Sequence, residues 1–262
     1  TFEVNTSSNE FKNYQESYPE NFRKFILENY GFNLELPNDT LGFWYAQAVQ
    51  KLNANLKLVP IARNESNHGD DKLLHQISSG KAIRKAIKNR NSRFINFIPE
   101  SSVQIEKLQP LFWDDYWPYL KYEINQASLF DLRNVYQMSD GLEFLFKRAA
   151  IKAKNFNEFI ELVKSKRYTY TRLQRLCVYV LFKITQQQID DSSRNLRVLG
   201  MTKNGQNYLN QIKKELKLSL ISKVDKTVFD RADYLECKAG LLTGTILNNQ
   251  QDLYHFPVII NK

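Results

Sequence analysis

The sequence predicts a mostly helical α/β chain. Residues 1–98 read as the closing part of an α/β sheet domain, and 99–262 as a mainly helical region that ends in a small α/β element. Apolar residues recur at helical spacing over much of the chain, and strand candidates are confined to a stretch near 55–63 and to 196–224. A helix, strand, loop and helix order holds up to Phe97-Ile98-Pro99, and consecutive helices follow it.

Residues 18–31 read as a helix, with Phe22, Phe25 and Ile26 on one face and Gly31 at the end. Pro37-Asn38-Asp39-Thr40 opens a second, in which Leu41, Trp44, Tyr45, Ala48, Val49 and Leu52 keep helical spacing and Asn38, Asp39 or Thr40 would cap. Leu56, Leu58 and Val59 predict a strand over 55–63, with a loop after it. Ser79 then caps a helix over 80–88 whose buried side carries Ile83 and Ile87.

Beyond Pro99 the spacing predicts helices over 116–125, 129–136, 142–151, 156–164 and 172–186. Trp113, Tyr116, Trp117 and Leu120 fall at i, i+3, i+4 and i+7, which reads as core rather than as a base-stacking platform. Strands at 196–199 and 218–224 flank a helix over 203–216.

At 262 residues and 42% hydrophobic content, the chain can bury real cores, and no apolar run approaches the ~20 residues that span a bilayer. A net charge of +9 favours an acidic partner. The two cysteines, Cys177 in an apolar segment and Cys237, fit a reduced, cytoplasmic setting with buried thiols. His68, His75 and His255 have no metal-ligand spacing, and neither a Ser/His/Asp set nor a P-loop is present. The chain opens at Thr1 with a polar segment rather than a Met, and is expected to be a fragment.

The run from Lys164 to Arg175 holds five cations and two tyrosines in twelve residues without an acid. Cations neutralise phosphates and phenol rings stack on unpaired bases, so the mixture points to RNA. Leu173, Leu176, Cys177, Val180 and Ile184 form one face of its helix, with Thr169 or Thr171 as cap. Arg172, Arg175 and Tyr179 share another sector, which reads as an RNA face or as a solvated basic one. Ser78-Ser79-Gly80-Lys81-Ala82-Ile83-Arg84-Lys85 sets small polar residues at a helix start, which reads as a phosphate cradle or as a capped helix with a solvated basic face. Arg63 follows the predicted strand and suits either an anionic ligand or an ion pair with Glu65 or Asp70. Asn38 reads first as a cap, although its amide can also read a base edge.

The segments Pro37 to Tyr45, Ser79 to Lys85, Lys164 to Arg175 and Arg197 to Gly205, in that order, resemble the bacterial tRNA(Met) cytidine acetate ligases. The resemblance implies a nucleotidyltransferase-like, Rossmann-type domain followed by a helical tRNA-binding region. It implies an enzyme that uses ATP and acetate to make acetyl-adenylate, and then acetylates N4 of the wobble cytidine of elongator tRNA(Met). By the same resemblance Asn38, Arg63, Ser79 and Arg84 bind ATP, and Lys81 stands where the family often has Thr. Lys164, Lys166, Arg167, Tyr168, Arg172 and Arg175 are carried to tRNA contact, and Mg2+ would accompany ATP rather than a protein metal site. The family's amino-terminal paired-histidine motif has no counterpart here, so the chain alone is expected not to catalyse. The competing expectation is a non-catalytic RNA-binding module on the same scaffold.

Overall fold

Helix α1, Tyr18–Tyr30, starts with Pro19 and Glu20 in its first turn and stops at Gly31, whose left-handed φ of 70° turns its amide onto the Leu27 carbonyl at 2.9 Å. Helix α2 is Pro37–Lys51. Its capping residue is Leu36 rather than Asn38, Asp39 or Thr40, and Asp39 reaches back to accept a hydrogen bond from the Leu36 amide at 2.8 Å. Proline at the first helical position puts the cap at the residue before it, ahead of the polar run. Phe22 and Ile26 of α1 are buried against Phe25, Leu34, Phe43 and Trp44, with the Phe22 and Trp44 rings stacked at 5.0 Å. Leu41, Tyr45 and Leu52, expected on the buried stripe of α2, are exposed.

The computed structural model describes residues 16–61, 71–73, 77–99, 109–139, 141–192, 195–229, 235–250 and 253–260. The chain divides into two compact units, 1–112 with 164–170 and 113–163 with 171–262.

In the first unit, described residues 54–61 form no strand, contrary to the expectation for 55–63. A strand exists only through a ladder with a neighbour, and no described segment pairs with this one. Helix α3, Gly80–Lys88, is capped by Ser79, whose hydroxyl accepts from the Ala82 amide at 3.1 Å. The fully buried positions on α3 are Ala82 and Ala86, with Ile83 and Ile87 half-buried beside them. A short 3-10 turn, Ser92–Phe97, buries Phe94.

In the second unit, helices α4 (Trp113–Gln126), α5 (Leu129–Arg133), α6 (Leu142–Lys152) and α7 (Phe156–Val163) close on an aromatic core. Trp113 stacks on Phe156 at 4.3 Å with an interplanar angle of 5°, and Phe159 meets Trp117 and Phe146, each at 5.1 Å. The Trp117 indole N–H donates to the Lys154 carbonyl at 3.2 Å. The Trp113 to Leu120 stripe is therefore core. Helix α5 is shorter than expected because Val135 leaves it to bridge Thr185.

The single helix expected over 172–186 is two. Helix α8, Tyr170–Leu181, ends where Lys183 adopts a left-handed φ of 53°, and α9, Gln186–Asp191, restarts with Thr185 and Gln188 capping each other. Leu173, Leu176, Cys177 and Val180 are buried as the periodicity requires. Burial pushes the Cys177 thiol far above its usual range, so it is an inert packing group.

The terminal α/β element comprises β1 (Asn195–Arg197), β2 (Gly200–Thr202), α10 (Lys203–Ile212), β3 (Ser219–Ile221), α11 (Lys226–Phe229), α12 (Leu235–Leu247) and β4 (Val258–Ile260). Among the described residues β1 pairs in parallel with β3 and β2 with β4, and Ile221, Val224 and Cys237 form a small core. No helix among the described residues is long and apolar enough to cross a membrane.

Phe159→Ala removes the ring that α4, α6 and α7 share. It should cost about 3–5 kcal/mol of stability, read from urea unfolding followed by tryptophan fluorescence.

Candidate functional site

The amino terminus of α3 brings two of the sequence-selected residues, Ser79 and Arg84, together. Ser79 is buried by its capping bond, which fixes the direction in which the first turn points its amides. The amides of Gly80 and Lys81 precede the first intrahelical bond, so this end of α3 carries partial positive charge. The Arg84 guanidinium folds back over it: a Cβ on Gly80 would lie 3.1 Å from Arg84 Nη1. Glycine at 80 therefore permits that close approach. The Ser78 hydroxyl, just before the cap, is buried with no hydrogen-bond partner among the described residues. Helix-start amides and a guanidinium at one place suit a phosphate-sized anion.

The remaining cations of this helix are not simply a solvated face. Lys85 pairs with Asp71 at 2.6 Å, and that hydrogen bond holds the Asp71 carboxyl below the usual carboxylate range. Lys88 lies over the Phe112 ring at 5.5 Å. Arg84 lies at the helix end.

Asn38 sits in the first turn of α2, exposed, and does not cap it. Its structural explanation is removed, and its amide has no hydrogen-bond partner among the described residues. Arg63 lies outside the described residues.

The basic run falls on both sides of the unit division. Lys164 to Tyr170 group with the first unit, whereas Arg172 and Arg175 belong to the second. Residues 165–168 make a tight turn in which the Tyr168 amide donates to the Ser165 carbonyl at 3.3 Å. Lys164 and Lys166 are exposed, and Arg167 lies over the Tyr168 ring at 5.5 Å. Tyr168 itself is only 6% exposed, so it does not offer a ring face to a base; Tyr170, at 42%, does. Arg175 is exposed, while Arg172 is half-buried and its Nη2 lies 3.5 Å from Ser139 Oγ. Tyr179 is half-buried and packs edge-on against Tyr136 at 5.1 Å. The sector shared by Arg172, Arg175 and Tyr179 is therefore largely packed, with Arg175 as its exposed cation.

The sequence model of the HIGH Nucleotidyl Transferase family matches residues 2–254. The tRNA(Met) cytidine acetate ligase of Limosilactobacillus reuteri is 37% identical over 256 residues, covering 96% of this chain and 67% of that protein. The chain belongs to this family. Its fold is that of Thermotoga maritima TmcAL, whose apo crystal structure aligns with a TM-score of 0.81 at 22% identity over 97% of this chain and 71% of that one. A second crystal structure of that protein, bound with alpha-thio ATP, aligns with a TM-score of 0.76 at 21% identity. A family match over nearly the whole chain lends no support to the expectation that a motif is missing.

Sequence reasoning included Ser78 and Gly80 in the run read as a phosphate cradle but gave a ligand role there only to Ser79 and Arg84. The signal was present, since a small residue before the cap and a glycine after it leave room for an approaching guanidinium.

The two serines should part company in the ligand-free chain. Ser79→Ala loses the cap and should lower stability by about 1 kcal/mol. Ser78→Ala removes an unsatisfied buried hydroxyl, so it should leave thermal stability unchanged or raise it by up to about 1 kcal/mol.

Proposed function

We propose that this chain serves ATP-dependent acetylation of N4 of the wobble cytidine in elongator tRNA(Met). The observation that carries the reading is the amino terminus of α3, where the Ser79 cap orients the first amides and the Arg84 guanidinium lies over Gly80. Its support from kinship is the name borne by the Limosilactobacillus reuteri relative and the nucleotide bound by the Thermotoga maritima one.

In this reading a carboxylate oxygen of acetate attacks the α-phosphorus of ATP, and pyrophosphate leaves as acetyl-adenylate forms. The cytidine N4 amine then attacks the acetyl carbonyl, AMP departs and the amine loses a proton. Neither step needs a covalent protein nucleophile. What they need is fixed positive charge around the phosphates and alignment of the reacting atoms. Ser79 orients the amides, Arg84 neutralises phosphate charge, and Asn38 and Arg63 complete the ATP contacts by resemblance. Lys81 adds a cation where the family often has a hydroxyl. By the same resemblance Mg2+ would arrive with ATP.

The tRNA contacts of the basic run are Lys164, Lys166, Arg167 and Arg175 through phosphate, with Tyr170 as the exposed ring. Arg172 and Tyr168 act by holding the segment's shape. A chain that binds tRNA but neither binds ATP nor forms N4-acetylcytidine when given ATP, acetate and tRNA(Met) would instead be a non-catalytic RNA-binding module.

Arg84→Ala should weaken ATP binding roughly tenfold to a hundredfold, the loss of one charge-assisted phosphate contact, with tRNA affinity unchanged. Equilibrium dialysis with ATP and filter binding with tRNA separate the two. Arg175→Ala should flatten the dependence of log affinity for tRNA on log salt by about one unit, whereas Arg172→Ala should lower thermal stability.

A further inference from the structure

The groove between α5 and α6 uses none of the residues assigned above. It is an open cleft of about 720 Å³ lined by Leu129, Gly141, Phe144, Leu145, Lys147, Arg148 and Ile151. Large apolar side chains stand out of or beside it, with Phe144 51% exposed, Ile151 72% and Phe130, next to Leu129 on α5, 69%. Cations surround them. Arg133 places its guanidinium over the Phe144 ring at 5.2 Å, and Lys147 donates to the Asn125 carbonyl at 2.9 Å. Arg148 and Lys152 are exposed, and neither is held by a hydrogen bond or ion pair among the described residues. Of the nearby acids, Glu143 is buried and already paired with Arg133 at 2.9 Å, and Asp131 is engaged by the Ser128 amide and hydroxyl.

Exposed rings beside an unpartnered guanidinium match the two demands of an unpaired nucleotide, a flat face for its base and a cation for its phosphate. Phe144 and Arg148 lie four residues apart on one helix, so their side chains are neighbours. A second copy of the chain fits poorly. A two-fold contact would set this patch against itself and bring its cations together in a chain of charge +9.

We propose that the α5–α6 groove is a second RNA contact, holding an unpaired nucleotide of the tRNA with its base on Phe144 and its phosphate on Arg148. This rests on the RNA half of the function proposed above and adds a stacking site distinct from the basic run.

The test uses the full chain and a transcript of elongator tRNA(Met), with affinity read by fluorescence anisotropy at several salt concentrations. Phe144→Leu keeps apolar bulk and removes the ring, so affinity should fall about tenfold with the salt slope unchanged. Arg148→Gln should instead flatten that slope by about one unit. TRNA carrying 4-thiouridine should photocrosslink to the tryptic peptide 134–147, and Phe144→Leu should abolish the adduct. Both side chains are exposed, so matching thermal melts would exclude misfolding as the cause.

If both variants bind tRNA like the unaltered chain and that peptide carries no adduct, the groove is not an RNA contact although the chain still binds RNA. If the unaltered chain fails to bind the transcript, the groove and the RNA reading fall together. Loss of self-association in sedimentation, or of binding to phosphatidylserine vesicles, with tRNA affinity intact in Phe144→Leu would overturn the proposal in favour of those occupants.

Discussion

The shared aromatic core of α4, α6 and α7 is the constraint on which the second unit depends. Trp113 lies flat on Phe156, Trp117 tilts onto Phe159, and Phe159 meets Phe146 edge-on, so each helix contributes a ring that another must accommodate. Such rings gain from area burial and from preferred relative orientations, which fixes helix rotation as well as distance. With α6 rotated so that Phe146, Ala149 and Ala150 face inward, Phe144, Arg148 and Ile151 must face out. The groove chemistry is a consequence of that packing.

In the first unit the comparable determinant is smaller. One serine cap orients the start of α3, and a glycine beside it admits the Arg84 guanidinium to the same place. Helix-end charge and guanidinium act in concert only because they are adjacent, since an exposed arginine elsewhere on the helix would be screened by water and salt. Lys85, next to Arg84 on the helix, is instead paired with Asp71.

Much of the helical architecture was legible because a 3.6-residue apolar period constrains every turn of a helix. The ends were less so. Leu36 is a poor capping residue by type, yet it occupies the position because Pro37 begins the helix and Asp39 can reach its amide. The stretch after Asn53 had strand composition, but composition supplies no ladder partner. The break after Leu181 goes with an antiparallel bridge of Val135 to Thr185 and a hydrogen bond from the Tyr136 amide to the Ile184 carbonyl at 2.7 Å, which join segments some fifty residues apart. In the basic run, residue types indicated an RNA contact but not which members remain available. Tyr168 and Tyr170 are chemically identical, and only packing buries one and exposes the other.

By itself the sequence determined the family, the succession of helices, the cap of α3 and the acid-free cationic run, because each is written in residue types at local spacing. The tertiary structure decided that Arg84 folds over Gly80, that the Ser78 hydroxyl is buried with no partner among the described residues, that Arg172 rests against Ser139, and that Phe144 stands exposed beside Arg148. Those outcomes depend on which neighbours arrive from elsewhere in the chain and on how much water they displace, and local periodicity carries no record of either.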